Sequence, residues 1–255
     1  MTAGQQLRDS ADSALDSAGE TAPTEVDTPQ SWRARSRPPA PAWTTTELAI
    51  ALGIMAATQA GYLPFSATPW LLLVAATFLW WRGPGWRGVG LARPANPRRV
   101  LAIGIATGVG YQVVGLYLVE PLIASMTTGK LPDVSAFRPL VGDEVRLAFW
   151  LAMSWTFAAF LEEMVYRGWL MSRLAEAGHF SAAAWVVAAI ASSALFGIAH
   201  LYQGISGVVA TGLTGLVFAG AYLASGRSLW AAILAHGILD TTGFVMIYLG
   251  VYPGL

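Results

Sequence analysis

The chain has 255 residues, 55% hydrophobic and only 12% charged, with a mean hydropathy of +0.52, too apolar for an ordinary soluble domain. Fifteen basic residues balance fifteen acidic ones, so no net field attracts nucleic acid, and that class of partner is excluded. Cysteine is absent, which removes disulfides, thiolate metal ligands and a cysteine nucleophile together.

Residues 1–42 are rich in Ser, Ala, Thr, Pro and Asp, without apolar periodicity, and are expected to form a disordered tail. The tail turns from acidic to basic at Arg33, Arg35 and Arg37, just before the first apolar run, which places it on the cytoplasmic side. Residues 43–255 read as an all-α, polytopic transmembrane bundle of about seven spanning helices, near 45–63, 68–82, 100–119, 147–170, 181–200, 205–225 and 229–250. Most of these match the roughly 20 residues needed to cross a bilayer core. The second, Trp70 to Trp81, is short and needs Pro69 and Arg82 at the interfaces. The following loop carries Arg82, Arg87, Arg93, Arg98 and Arg99 with no acid and is expected to be cytoplasmic. The loop from Glu120 to Arg146 mixes both signs and is expected outside, while Arg173 and Arg227 mark later internal loops. Localisation is therefore expected in the cell membrane, N-terminus inside and C-terminus outside, with lipid as the surrounding partner.

Gly104, Gly108 and Gly115, and likewise Gly207, Thr211 and Gly215, share helix faces and should let backbones approach closely. The chemistry-bearing residues lie further on. Charge at membrane depth is kept where it is paired, hydrated or used. The fourth segment contains Glu162-Glu163-Met164-Val165-Tyr166-Arg167. Adjacent carboxylates point about 100° apart on a helix, so Glu163 can pair with Arg167 at i+4, leaving Glu162 as the freer base. His200 follows Phe196 at the end of the fifth segment. In the seventh, His236 and Asp240 share a face at i, i+4; Asp240 can fix the imidazole tautomer and aim its other nitrogen at a ligand, a metal or an oxyanion. His179 lies in a polar turn and reads as a solvated loop residue, and Tyr166 and Phe196 as packing residues. Glu162, His200 and His236 together supply a general base and two imidazoles that could orient a water or bind a metal.

The order Glu-Glu-x-x-Tyr-Arg, Phe-x-x-x-His, His-x-x-x-Asp resembles the motifs of the CPBP intramembrane proteases, which include the CAAX prenyl endopeptidases and the bacteriocin-processing enzymes also called the Abi family. The resemblance covers about residues 130–250. It implies an endopeptidase in which Glu162 and His200 activate water, His236 and Asp240 orient the site or stabilise an oxyanion, and Glu163 and Arg167 support them. Many members have Asn where this chain has Asp240, which favours a supporting role behind His236 over direct donation to an oxyanion. Glu162, His200 and His236 could hold one divalent ion such as zinc, or work without one. The implied substrate is a membrane-associated peptide or protein. A non-catalytic scaffold, regulator or immunity protein is the alternative, and a small transporter a further one. The zincin His-Glu-x-x-His, the aspartyl Gly-x-Gly-Asp and the serine Gly-x-Ser-x-Gly patterns are all absent.

If the fourth and fifth segments were ideal spans, Glu162 and His200 would lie at different depths. A fourth helix running past Arg167 toward Glu176 would bring them together.

Overall fold

The computed structural model describes residues 41–83 and 85–255, and these are helical with no strand among them. The expected tail through residue 40 lies outside the described residues. Seven helices follow: α1 Pro41–Gln59, α2 Ala67–Trp81, α3 Pro97–Met126, α4 Glu144–Ala177, α5 Ala182–Ala199, α6 Gly204–Ala224 and α7 Leu229–Tyr248. By length and composition α3 to α7 are apolar enough to cross a membrane, while α2 is a shorter apolar helix. The chain is thus a polytopic helical bundle.

One boundary differs from expectation, and another bears out the extension expected for the fourth helix past Arg167 toward Glu176. Helix α3 continues to Met126 through a π-helical stretch, Gly115–Val119, so Glu120 belongs to the helix and not to the following loop. Pro121 lacks an N–H for the regular ladder, and the widened turn before it accommodates that loss. Helix α4 runs 34 residues to Ala177, with π-helical stretches at Ser154–Glu162 and Met164–Leu170. Asp143 caps it by accepting from the Arg146 backbone N–H at 2.9 Å; that bond holds the Asp143 carboxyl below its usual range.

Helix α4 is the axis of the bundle. Every residue from Glu163 to Arg173 is buried, because one hydrophobic cluster (including Met164, Met171, Phe218, Tyr222 and Leu229) packs on one side and a second (including Met55, Leu71, Leu79, Val165, Trp169 and Phe196) on the other. Helix α7 packs against α3 and the middle of α4, and α5 against α6 and the end of α4. Cβ atoms at Gly104 and Gly108 would meet Leu234 and Ile238 of α7 at 2.7 and 2.9 Å, so these glycines set that approach, whereas Gly115 has only Tyr111 nearby. Outer faces expose Leu73, Trp80, Val113 and Val187, as lipid-facing positions do.

A charged network ties α1, α2 and the end of α4. Arg82 reaches Glu47 at 2.5 Å and Glu176 at 2.6 Å, Arg173 reaches Glu176 at 2.8 Å, and Trp169 Nε1 donates to Glu47 at 2.8 Å. Two cations meet two carboxylates, so the cluster is neutral in sum. Arg82 and Arg173, legible in the sequence as loop charges that orient the chain, are thus also internal ties. Glu47, the fully buried partner of Arg82, stands in the sequence as an isolated acid within an apolar segment.

Candidate active site

The long reach of α4 brings Glu162 near its middle, and four of the sequence-derived candidates then line one cavity of about 370 Å³: Glu162 from α4, His200 from the end of α5, and His236 and Asp240 from α7. Glu163 and Arg167 lie behind this wall, both buried.

Arg167 Nη1 donates to Glu163 Oε1 at 2.7 Å, the i, i+4 pair expected from spacing. Arg167 Nη2 donates to the Gly215 carbonyl on α6 at 3.0 Å, and the guanidinium lies 4.4 Å from the Phe196 ring centroid on α5. Gly215 is essential to this docking: a Cβ there would stand 2.9 Å from Arg167 Nη2. The sequence marks Gly215 only as a helix-packing residue. Glu162, adjacent to Glu163, turns to the cavity and makes no hydrogen bond or ion pair with a described residue.

His236 differs from the sequence picture in its partners. Nδ1 lies 2.8 Å from Glu163 Oε1, and Nε2 lies 3.5 Å from Asp240 Oδ2. The carboxylate fixing the ring from behind is therefore Glu163, three-dimensionally adjacent but 73 residues away in sequence, while Asp240 stands at the cavity wall and accepts from Ser154 Oγ at 2.8 Å. Both ring nitrogens face carboxylate oxygens, so a ring carrying a proton on each satisfies both. The Phe218 ring stacks on His236 at 4.8 Å. His200 Nδ1 lies 2.9 Å from the Phe196 carbonyl, an acceptor only, so that nitrogen donates. Phe196 also touches the His200 ring edge-on at 4.7 Å, so one side chain braces both Arg167 and His200.

Among the described residues no three His, Asp or Glu side chains are grouped closely enough to hold a metal ion. Nδ1 of each cavity histidine is engaged, which leaves Nε2 as the nitrogen each ring could offer a ligand.

Further groups line the cavity that sequence reasoning did not single out as site residues: Ser154, Glu120 and Gln112 on α4 and α3, and Tyr252 beyond α7. Burial pushes the Tyr252 phenol up, and the Glu120 and Asp240 carboxylates add to that. No periodic signal distinguishes such residues from ordinary helix polar positions; Glu120 stood at a presumed loop edge.

Fold and site together define a multi-pass helical membrane protein with a carboxylate- and imidazole-lined cavity in its bundle. Residues 144–242 match the family model described as Rce1-like, type II CAAX prenyl endopeptidase Rce1-like. The resemblance drawn from the motifs is thereby borne out over that stretch, which contains Glu162, Glu163, Arg167, His200, His236 and Asp240. Comparison with curated proteins gives no match, and neither does comparison with solved structures.

Proposed function

We propose that this protein is an intramembrane endopeptidase of the CAAX-protease type, which hydrolyses a peptide bond of a membrane-associated substrate by direct attack of water. The observation carrying this reading is the convergence of Glu162, His200, His236 and Asp240, from three helices, on one cavity. With Nδ1 of His200 donating to a carbonyl, its neutral ring offers Nε2 as an acceptor. A water held between that nitrogen and the Glu162 carboxylate has its oxygen lone pair free for the substrate carbonyl carbon. As the C–O bond forms, Glu162 takes one proton, and the carbonyl oxygen, now negative, accepts from Nε2–H of His236. The C–N bond then breaks, the carbonyl re-forms, and Glu162 returns its proton to the departing amine, leaving a carboxylic acid and an amine. Glu163 holds His236 through Nδ1, and Arg167 holds Glu163.

No side chain bonds to the substrate in this scheme, so hydroxylamine should trap no hydroxamate during cleavage of a membrane-anchored peptide by the purified protein. A trapped hydroxamate would replace direct hydrolysis with an acyl-enzyme route.

We place the chain in the cell membrane with its N-terminus inside, on the arginines after α2 and before α1. The natural lack of cysteine makes this easy to measure. A cysteine introduced at Gly88 should resist an impermeant maleimide in intact cells, and one at Thr128 should react; the opposite pattern reverses the orientation.

A further inference from the structure

We infer that the α3 side of the cavity is a substrate subsite in which Gln112 holds peptide backbone and Glu120 receives the cationic side chain of a substrate lysine or arginine. This deepens the endopeptidase reading and rests on it for the fate of the bound peptide.

Charge is the first argument. Glu120, Glu162 and Asp240 line the cavity, and no lysine or arginine does; Arg167, behind the wall, is committed to Glu163 and Gly215, and the His236 ring is held between Glu163 and Asp240. A cavity with low-dielectric walls and carboxylates of one sign selects positive groups. A peptide bringing an acidic side chain, or its own terminal carboxylate, would find no guanidinium or ammonium partner on this lining.

Gln112 is the second. It is only 8% exposed, lines the cavity, and its side-chain amide makes no hydrogen bond with a described residue. Its amide is not among the fully buried unpaired polar groups of the described residues, so it opens onto the cavity, where a ligand can take the place of water. Its donor and acceptor match the C=O and N–H of an extended peptide, which would supply them.

The backbone of α3 joins these two residues. On a regular α-helix, Glu120 would be turned about 80° from Gln112, eight positions earlier. The π-helical stretch Gly115–Val119 lies between them, and its smaller rotation per residue brings Glu120 back toward the Gln112 face. Glu120 itself makes no ion pair with a described residue. Tyr111 and Tyr252 line the same region, and aromatic rings beside a carboxylate suit a lysine or arginine head. Glu120, Tyr252 and Asp240 line this one cavity, so subsite and candidate catalytic residues share it.

The test uses the full-length protein in phosphatidylcholine vesicles and fluorescent single-span model peptides that differ only in carrying Lys, Gln or Glu at one position, swept along the segment. Binding of the Lys peptide at its best position should be roughly tenfold tighter than that of the Gln peptide, and the Glu peptide should bind more weakly still. Glu120→Gln should erase the Lys advantage over the Gln peptide. Gln112→Leu should weaken all three alike. Equal binding of the three peptides by the wild-type protein overturns the subsite without any variant, as does a Lys preference that survives Glu120→Gln. Cleavage of the same peptides is followed in parallel. Charge-selective binding without any cleavage sinks the hydrolase reading and leaves the subsite standing; cleavage without charge preference does the reverse.

Discussion

Glu162→Gln should lower peptide cleavage by roughly a hundred- to ten-thousand-fold, the range expected when a positioned general base is removed, while the protein stays folded in the membrane. The two outcomes separate because Glu162 makes no hydrogen bond or ion pair with a described residue, so an amide of the same shape breaks no structural contact. In the proposed mechanism the substitution removes the group that takes the proton from water and later delivers it to the amine. His200→Ala should fall in the same range, since Nε2 of His200 is the second acceptor on that water. Cleavage is read with a membrane-anchored peptide and folding by the thermal transition in detergent. Turnover like that of the wild type by both variants would remove the hydrolase reading, and a cellular phenotype that survives Glu162→Gln would favour a scaffold in its place.

The second large effect is on stability. Arg167→Ala should destabilise the bundle by about 3–5 kcal/mol, the usual consequence of removing one partner of a buried ion pair. Glu163 and Arg167 are both almost completely buried, at 0% and 1% side-chain exposure. Without the guanidinium, Glu163 retains only the His236 contact, the Gly215 carbonyl loses its donor, and Phe196 and Phe218 lose the cation that lies over their faces. Glu163→Gln should cost less, because the amide oxygen still accepts from Arg167 and His236. Combining it with Arg167→Met should be less harmful than the sum of the two single changes, since no charge is then left alone. Unfolding in mixed detergent and denaturant measures all three. An Arg167→Ala protein as stable as the wild type would show that the pair does not hold α4 to α5, α6 and α7.

Periodicity and hydropathy were sufficient to place the helical segments, because each apolar run is a local property and lipid or protein must cover it wherever it lies; of the about seven spans expected, five among the described residues are long and apolar enough to cross a membrane. The Glu163–Arg167 pair was legible for the same reason: i, i+4 neighbours on a helix meet whatever the rest of the fold does. Motif order further pointed to the CAAX-type family, and the match over residues 144–242 agrees. The partner of His236 was not legible. Spacing offers Asp240, four residues on, yet the shorter contact goes to Glu163 from another helix, and helix-to-helix rotation has no signature in a single chain of residues.

The same limit explains the rest. The composition alone determined that the chain is a membrane bundle, and the placement of Glu, His and Asp within apolar runs marked the candidate site, since burial of such groups in lipid is costly. The extension of α4 past Arg167 was already open to the sequence; only the tertiary structure decided that Glu162 and His200 share one cavity wall and that Gly215 opens room for Arg167. It also placed Glu120 within α3 and on the cavity wall. Those features depend on π-helical turns and on the depth and rotation of one helix against another, which are fixed by packing between distant segments and not by the local pattern of any one of them.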